Sequence, residues 1–150
     1  MLDASLFDAD RILAGLLPWV RVESPTTSVA GVNRMMDLAA ADLAALGGII
    51  ERKPGTQGFG DIVTARFAGM DAAAGAGILI LSHLDTVHLE GTLAGRLPLR
   101  RDGDRYFGPG IYDMKGGVRI AIEALGVLRA EGLRPRLPVS FLLVPDEEVG

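Results

Sequence analysis

Three short stretches carry most of the chemistry available to this chain: Ser82-His83-Leu84-Asp85-Thr86-Val87, Gly108-Pro109-Gly110-Ile111-Tyr112-Asp113-Met114-Lys115-Gly116-Gly117, and Asp146-Glu147-Glu148. Together they offer one imidazole and several carboxylates. These are the nitrogen and oxygen donors that suit a borderline-soft divalent ion such as zinc, with a spare carboxylate to act as a base. His83 and Asp85 stand two residues apart, which suits an imidazole on the ion and a carboxylate that fixes its tautomer from behind. Asp113 lies between two glycine pairs, where the backbone can approach a ligand closely, and its two oxygens can reach two cations. Three acids crowded after an apolar run are costly unless a cation or proton offsets their repulsion.

Each group alone has an ordinary explanation. His83 and Asp85 would be a hydrogen bond closing a strand, Asp113 the N-cap of a helix starting near Gly116, and the acids a solvated loop. Lys115 reads as a solvated neighbour or charge partner, and His88 as exposed or locally hydrogen-bonded. Joint occurrence changes this, because the steps of 28 residues from Asp85 to Asp113 and 34 from Asp113 to Glu147 each span one or two supersecondary units. That is enough chain to return to the same sheet edge.

The elements that must position these groups follow from periodicity. Residues 8–20 read as an opening helix, with Ile12, Leu13, Leu16 and Leu17 on one side. Residues 22–27 form a polar turn leading to Ser28, an N-cap. Val29, Val32, Met36, Ala39, Leu43 and Leu46 then recur at helical spacing up to Gly47-Gly48. Residues 49–53 and 61–67 are candidate strands around Pro54-Gly55. The unbroken apolar run 77–81 predicts a strand covered on both faces. Asp102-Gly103-Asp104 marks a hairpin, Gly116-Gly117 opens an apolar helix ending near Gly132, and 138–144 is a second buried strand. Strands alternating with helices predict an α/β sheet with an antiparallel hairpin in it. His83 with Asp85, and Glu147 with Glu148, then sit beyond carboxyl ends of strands, where such sheets bind ligands.

The chain has 150 residues, the length of one domain. A net charge of −4 opposes a nucleic-acid surface. With no cysteine, disulfides and thiolate metal sites are excluded. No apolar run reaches a membrane span, and residues 1–10 lack the basic run of a secretory signal, so a cytoplasmic location is expected.

The order His-x-Asp-Thr-Val, then Gly-Pro-Gly-x-x-Asp-x-Lys-Gly-Gly, then Asp-Glu-Glu resembles the two-zinc amidohydrolases and metallopeptidases. These include the glutamate carboxypeptidases, aminoacylases, acetylornithine deacetylases and succinyl-diaminopimelate desuccinylases. The wording is closest to the glutamate carboxypeptidase branch, and the resemblance covers residues 22–150. It implies a zinc-exopeptidase-like three-layer sandwich, α/β with a mixed, mostly parallel sheet. Residues 1–150 would be the N-terminal part of the catalytic domain, lacking its remainder and an inserted dimerisation domain. It also implies two zinc ions, with cobalt or manganese as substitutes. His83 would bind one, Asp113 bridge both and Glu148 bind the other, while Asp85 orients His83 and Glu147 is the general base. The Asp113-Met114 peptide would be cis, a form rare outside proline.

The activity implied is hydrolysis of an amide, releasing a C-terminal glutamate-like amino acid from a small peptide. The alternative is deacylation of an N-acyl amino acid. From another class, the alternative is a non-catalytic metal-binding or interaction fragment. The same resemblance implies a homodimeric whole enzyme, with the 150-residue chain inactive alone because a further acidic ligand and a late histidine are missing.

Overall fold

The computed structural model describes residues 3–71 and 76–149. Helix α1, Ala9–Val20, starts where the Asp8 carboxylate accepts the N–H groups of Asp10 and Arg11, satisfying donors that the first turn leaves free. Helix α2, Val29–Ala45, is capped by Ser28, whose hydroxyl accepts the Gly31 N–H, and ends at Gly47 with φ of +87°. Its inward stripe includes Met35 as well as the expected Val32, Met36, Ala39 and Leu43. Helix α3, Gly116–Ala130, follows the glycine pair.

Four strands form one mixed sheet, β1 (Ile49–Lys53), β2 (Ile62–Phe67), β3 (Ile78–His83) and β6 (Val139–Val144), in the order β1-β2-β6-β3. β1 with β2 and β2 with β6 are antiparallel, and β3 with β6 is parallel. The α/β class with a mixed sheet therefore holds, whereas "mostly parallel" does not describe these four strands. The antiparallel hairpin of the sheet is β1-β2. The one expected at Asp102-Gly103-Asp104 is a separate two-stranded ribbon of β4 (Arg100–Asp102) and β5 (Arg105–Phe107). Its strands are too short and polar to join the core, and arginines lie over its rings instead, Arg100 at 3.8 Å from the centre of Phe107.

The core sits between the helices and one sheet face. Met35, Met36, Ala39 and Leu43 of α2 and Val118 and Ile122 of α3 pack with Val63, Ala65, Phe141 and Leu143. Alternation along the strands sends Leu79, Leu81 and Leu142 to the opposite face. Among the described residues no helix covers that face, so two layers are present where three are expected. β3 is consequently not buried on both sides, with Leu79 and Leu81 62% and 61% exposed.

Candidate metal centre

Parallel pairing assembles the site. The register of β3 on β6 places His83 opposite Val144, so both strands run out at the same sheet edge. A short 3-10 turn, Glu147–Val149, follows β6 there. A histidine and an acidic triplet more than sixty residues apart in sequence thus become neighbours, as the strand-end rule for open α/β sheets expects.

The His83 ring is buried and held from one side. Its Nδ1 lies 3.2 Å from the Asp85 carbonyl oxygen and 3.3 Å from Asp85 Oδ1. Its Nε2 therefore faces the acids, 3.0 Å from Asp113 Oδ1 and 3.8 Å from Glu147 Oε2. His83, Glu147 and Glu148 each place one donor atom within 4.8 Å of the others. Asp113 joins this group through its contact with Nε2.

Asp85 is fully buried and ties three segments together. Its Oδ2 accepts the Thr26 hydroxyl at 2.7 Å and the Glu148 N–H at 3.2 Å, while Oδ1 accepts the Glu147 N–H at 3.3 Å. The carboxylate that faces His83 thus also caps the turn carrying the acids. The loop between α1 and α2 lies alongside, where the Ser24 hydroxyl donates to the Leu84 carbonyl and the Thr86 N–H donates to the Ser24 carbonyl. Sequence reasoning missed Thr26. It lies in the polar turn 22–27, and its spacing of 59 residues from Asp85 carries no periodic signal.

Asp113 sits in an irregular wide turn, Ile111–Lys115, entered through Gly110 at φ of +70°. It is not the N-cap of α3, whose cap position is Lys115 with no side-chain cap bond. Its side chain is 68% exposed and points to His83. The Asp113-Met114 peptide is cis. Lys115 departs from the sequence expectation. It is fully buried rather than solvated, and its Nζ donates to the carbonyls of Trp19 and Val22 at 3.2 and 2.8 Å. His88 is half-buried and takes no part in the cluster.

Charge crowding shifts the titration of the site's groups. Hydrogen bonding to Asp85, then to Asp113, pushes the His83 imidazole up to about 9, against the opposing effect of burial. Burial pushes the Asp85 carboxyl up, but His83, Thr26 and the Glu148 N–H together hold it below its ordinary value. Burial raises the Glu148 carboxyl, with Asp113, Asp85 and Glu147 adding to the rise and His83 opposing it. A carboxyl held toward its protonated form among other acids is stabilised by a cation. The donors are nitrogen and oxygen with no thiolate, and a divalent metal ion fits them.

Known proteins resemble this chain in sequence and in fold. Residues 79–150 match the model of peptidase family M20/M25/M40. Over its full length the chain is 31% identical to carboxypeptidase G2 of Pseudomonas sp. (strain RS-16) and spans 35% of that enzyme. A stretch covering 31% of the chain is 46% identical to succinyl-diaminopimelate desuccinylase of Rhodopseudomonas palustris (strain BisB5), and spans 12% of it. In fold, the chain superposes on human carnosine dipeptidase 1 with a TM-score of 0.79 at 22% identity, covering 94% of this chain and 33% of that one. The chain thus spans about a third of carboxypeptidase G2 and of carnosine dipeptidase 1, and less of the desuccinylase. The matched segment 79–150 carries His83, Asp85, Asp113, Glu147 and Glu148.

Proposed function

We propose that residues 1–150 form the N-terminal part of the catalytic domain of a zinc-dependent hydrolase that cleaves an amide bond. The observation that carries this reading is the parallel β3-β6 register, which brings His83 beside Glu147 and Glu148, with Asp113 reaching the same point from the turn 111–115. His83 Nε2 and a Glu148 oxygen would hold two zinc ions, with Asp113 shared between them. Cobalt or manganese would satisfy the same donors.

Zinc, when bound, supplies Lewis acidity and lowers the pKa of water from 15.7 toward about 7. The chain's own residues do the rest. Asp85 holds the Nδ1 side of the imidazole, so Nε2 stays directed at the ion. Glu147, 58% exposed on its side chain, is free to take a proton from the attacking water. It then returns that proton to the departing amine. The exposed positions of Asp113 and Glu147 leave room for a substrate amide at this edge.

The likeness to carboxypeptidase G2 supports a small peptide or acyl-amino acid substrate that releases a C-terminal glutamate-like residue. The local likeness to a desuccinylase supports a second reading, deacylation of an N-acyl amino acid. The whole protein would act as a cytoplasmic homodimer on such small substrates. Among the described residues no helix is long and apolar enough to cross a membrane.

The test uses the whole protein that carries this chain. Glu147→Gln should lower kcat about 10²- to 10⁴-fold at unchanged zinc content. Turnover of acyl-glutamates above that of succinyl- or acetyl-amino acids would favour the first reading, and the reverse order the second. Normal turnover by Glu147→Gln would refute its role as base.

A further inference from the structure

Asp113 makes no hydrogen bond of its own beyond the contact with His83 Nε2 among the described residues. Its position must therefore come from the backbone of the turn 111–115. Two side chains anchor that turn: Met114, packed against the core with its sulfur accepting the His83 N–H at 3.4 Å, and Lys115, the deeper of the two with 0% exposure. Burying an ammonium is costly unless its protons are bonded, and an apolar side chain of the same length would be cheaper. Here the partners are carbonyls at the end of α1. The Trp19 oxygen belongs to the last turn of that helix and also accepts the Val22 N–H at 3.1 Å; partial negative charge gathers at this end of the helix.

The anchor itself is fixed. The Trp19 indole N–H donates to Asp42 at 3.0 Å, and Arg119, which also bonds Asp42, lies over the Trp19 ring. At the other end, the Lys115 N–H donates to the Gly110 carbonyl at 2.9 Å. The lysine stem also passes close to Gly110. A Cβ there would lie 3.2 Å from both Cδ and Cε of Lys115 and 2.8 Å from Thr86 Cγ2. The turn leaves no space beside the lysine stem for a side chain.

We infer that Lys115 is a positioning residue, whose ammonium clamps the Asp113 turn onto the carbonyls of Trp19 and Val22 and so sets Asp113 against His83. The same segment, 19–26, reaches the other arm of the site through Thr26 on Asp85. One connection between helices thus indexes both ligand-bearing segments to each other. The functional part of this inference rests on the reading of Asp113 as a zinc ligand.

The experiment reads the metal-free and zinc-loaded protein separately. In the whole protein the Nε2–H signal of His83, assigned by its loss in His83→Gln, can be followed by 15N-edited NMR without metal. Lys115→Met keeps the stem and removes the donors. It should abolish the signal of the His83–Asp113 bond and weaken zinc binding about 10- to 100-fold, as loss of an orienting partner does. Lys115→Cys alkylated to aminoethylcysteine, with the protein carrying Lys115 alkylated alongside as the control, should restore both. Ile122→Ala, a core change on α3 away from the turn, should leave both near wild type. If Lys115→Met does not fold unaided, the comparison is made in a stabilising osmolyte.

Wild-type ring signal and zinc affinity in Lys115→Met would overturn the inference, as would equal losses in Ile122→Ala. Zinc binding by Asp113→Asn as tight as wild type would instead overturn the ligand assignment and the functional part with it. The ring signal would still decide the clamp.

Discussion

The two arms of the candidate centre are built differently. His83 and Asp85 are buried, with side chains 6% and 0% exposed, and every polar atom of the Asp85 carboxylate is occupied by this chain's own donors. Asp113 and Glu147 reach the same point from solvent, with side chains 68% and 58% exposed. The first arm is rigid without a ligand, whereas the second is held through backbone and turns. Fold and site are therefore separable at Asp113 and Glu147, and inseparable at Asp85.

The sharpest way to break that comparison is Asp85→Ala. It strands the buried Thr26 hydroxyl, two N–H groups and the imidazole, and should cost about 2–4 kcal/mol of stability in metal-free protein, read by urea denaturation. A loss under 1 kcal/mol would show that the buried arm is not a structural element. Asp113→Asn is the counterpart. It should weaken zinc binding by at least about 100-fold, or about 2.7 kcal/mol, while metal-free stability moves by no more than about 0.5 kcal/mol. Equal stability losses at Asp85 and Asp113 would erase the distinction between the arms.

Thr26→Val sharpens it further, because the swap is close to isosteric and removes a single donor to Asp85. The expected loss is about 1–2 kcal/mol, measured by the same denaturation. The smallest effect lies at the rim. Glu23 accepts the N–H groups of Leu93 and Gly91, at 2.7 and 2.9 Å, and these bonds hold its carboxyl below the ordinary value of 4.5. With the folded value depressed, the stabilisation is fully present above pH 4.5 and fades as pH falls through the folded value. Glu23→Gln should therefore flatten the acid limb of stability below pH 4.5 and lower stability at neutral pH by the small amount that limb spans. An unaltered acid limb would show that these bonds contribute nothing to it.

Local signals were legible in the sequence wherever chemistry and period coincide. Ser28 as a cap, the stripe Val32-Met36-Ala39-Leu43 and the strand ending at His83 needed only short-range physics. So did the placement of His83 and Glu147 beyond strand ends, given an α/β sheet. Long-range pairings were not legible. Nothing in residues 22–27 announces that Thr26 meets Asp85, and nothing local distinguishes a solvated Lys115 from one buried on helix carbonyls. The apolar run 77–81 was read as doubly buried because its side chains fit that environment. The sequence of one strand does not state which of its faces is covered, and here the face of Leu79 and Leu81 is open.

The central claim is that one sheet edge gathers His83, Asp113 and Glu148 into one two-ion centre, with His83 and Glu148 on separate ions and Asp113 shared. Anomalous diffraction at the zinc edge from zinc-loaded crystals tests it directly. The account predicts peaks at about 2.0–2.2 Å from His83 Nε2 and from carboxylate oxygens of Asp113 and Glu148. Zinc held elsewhere, for instance at His88, with none at His83, would contradict it.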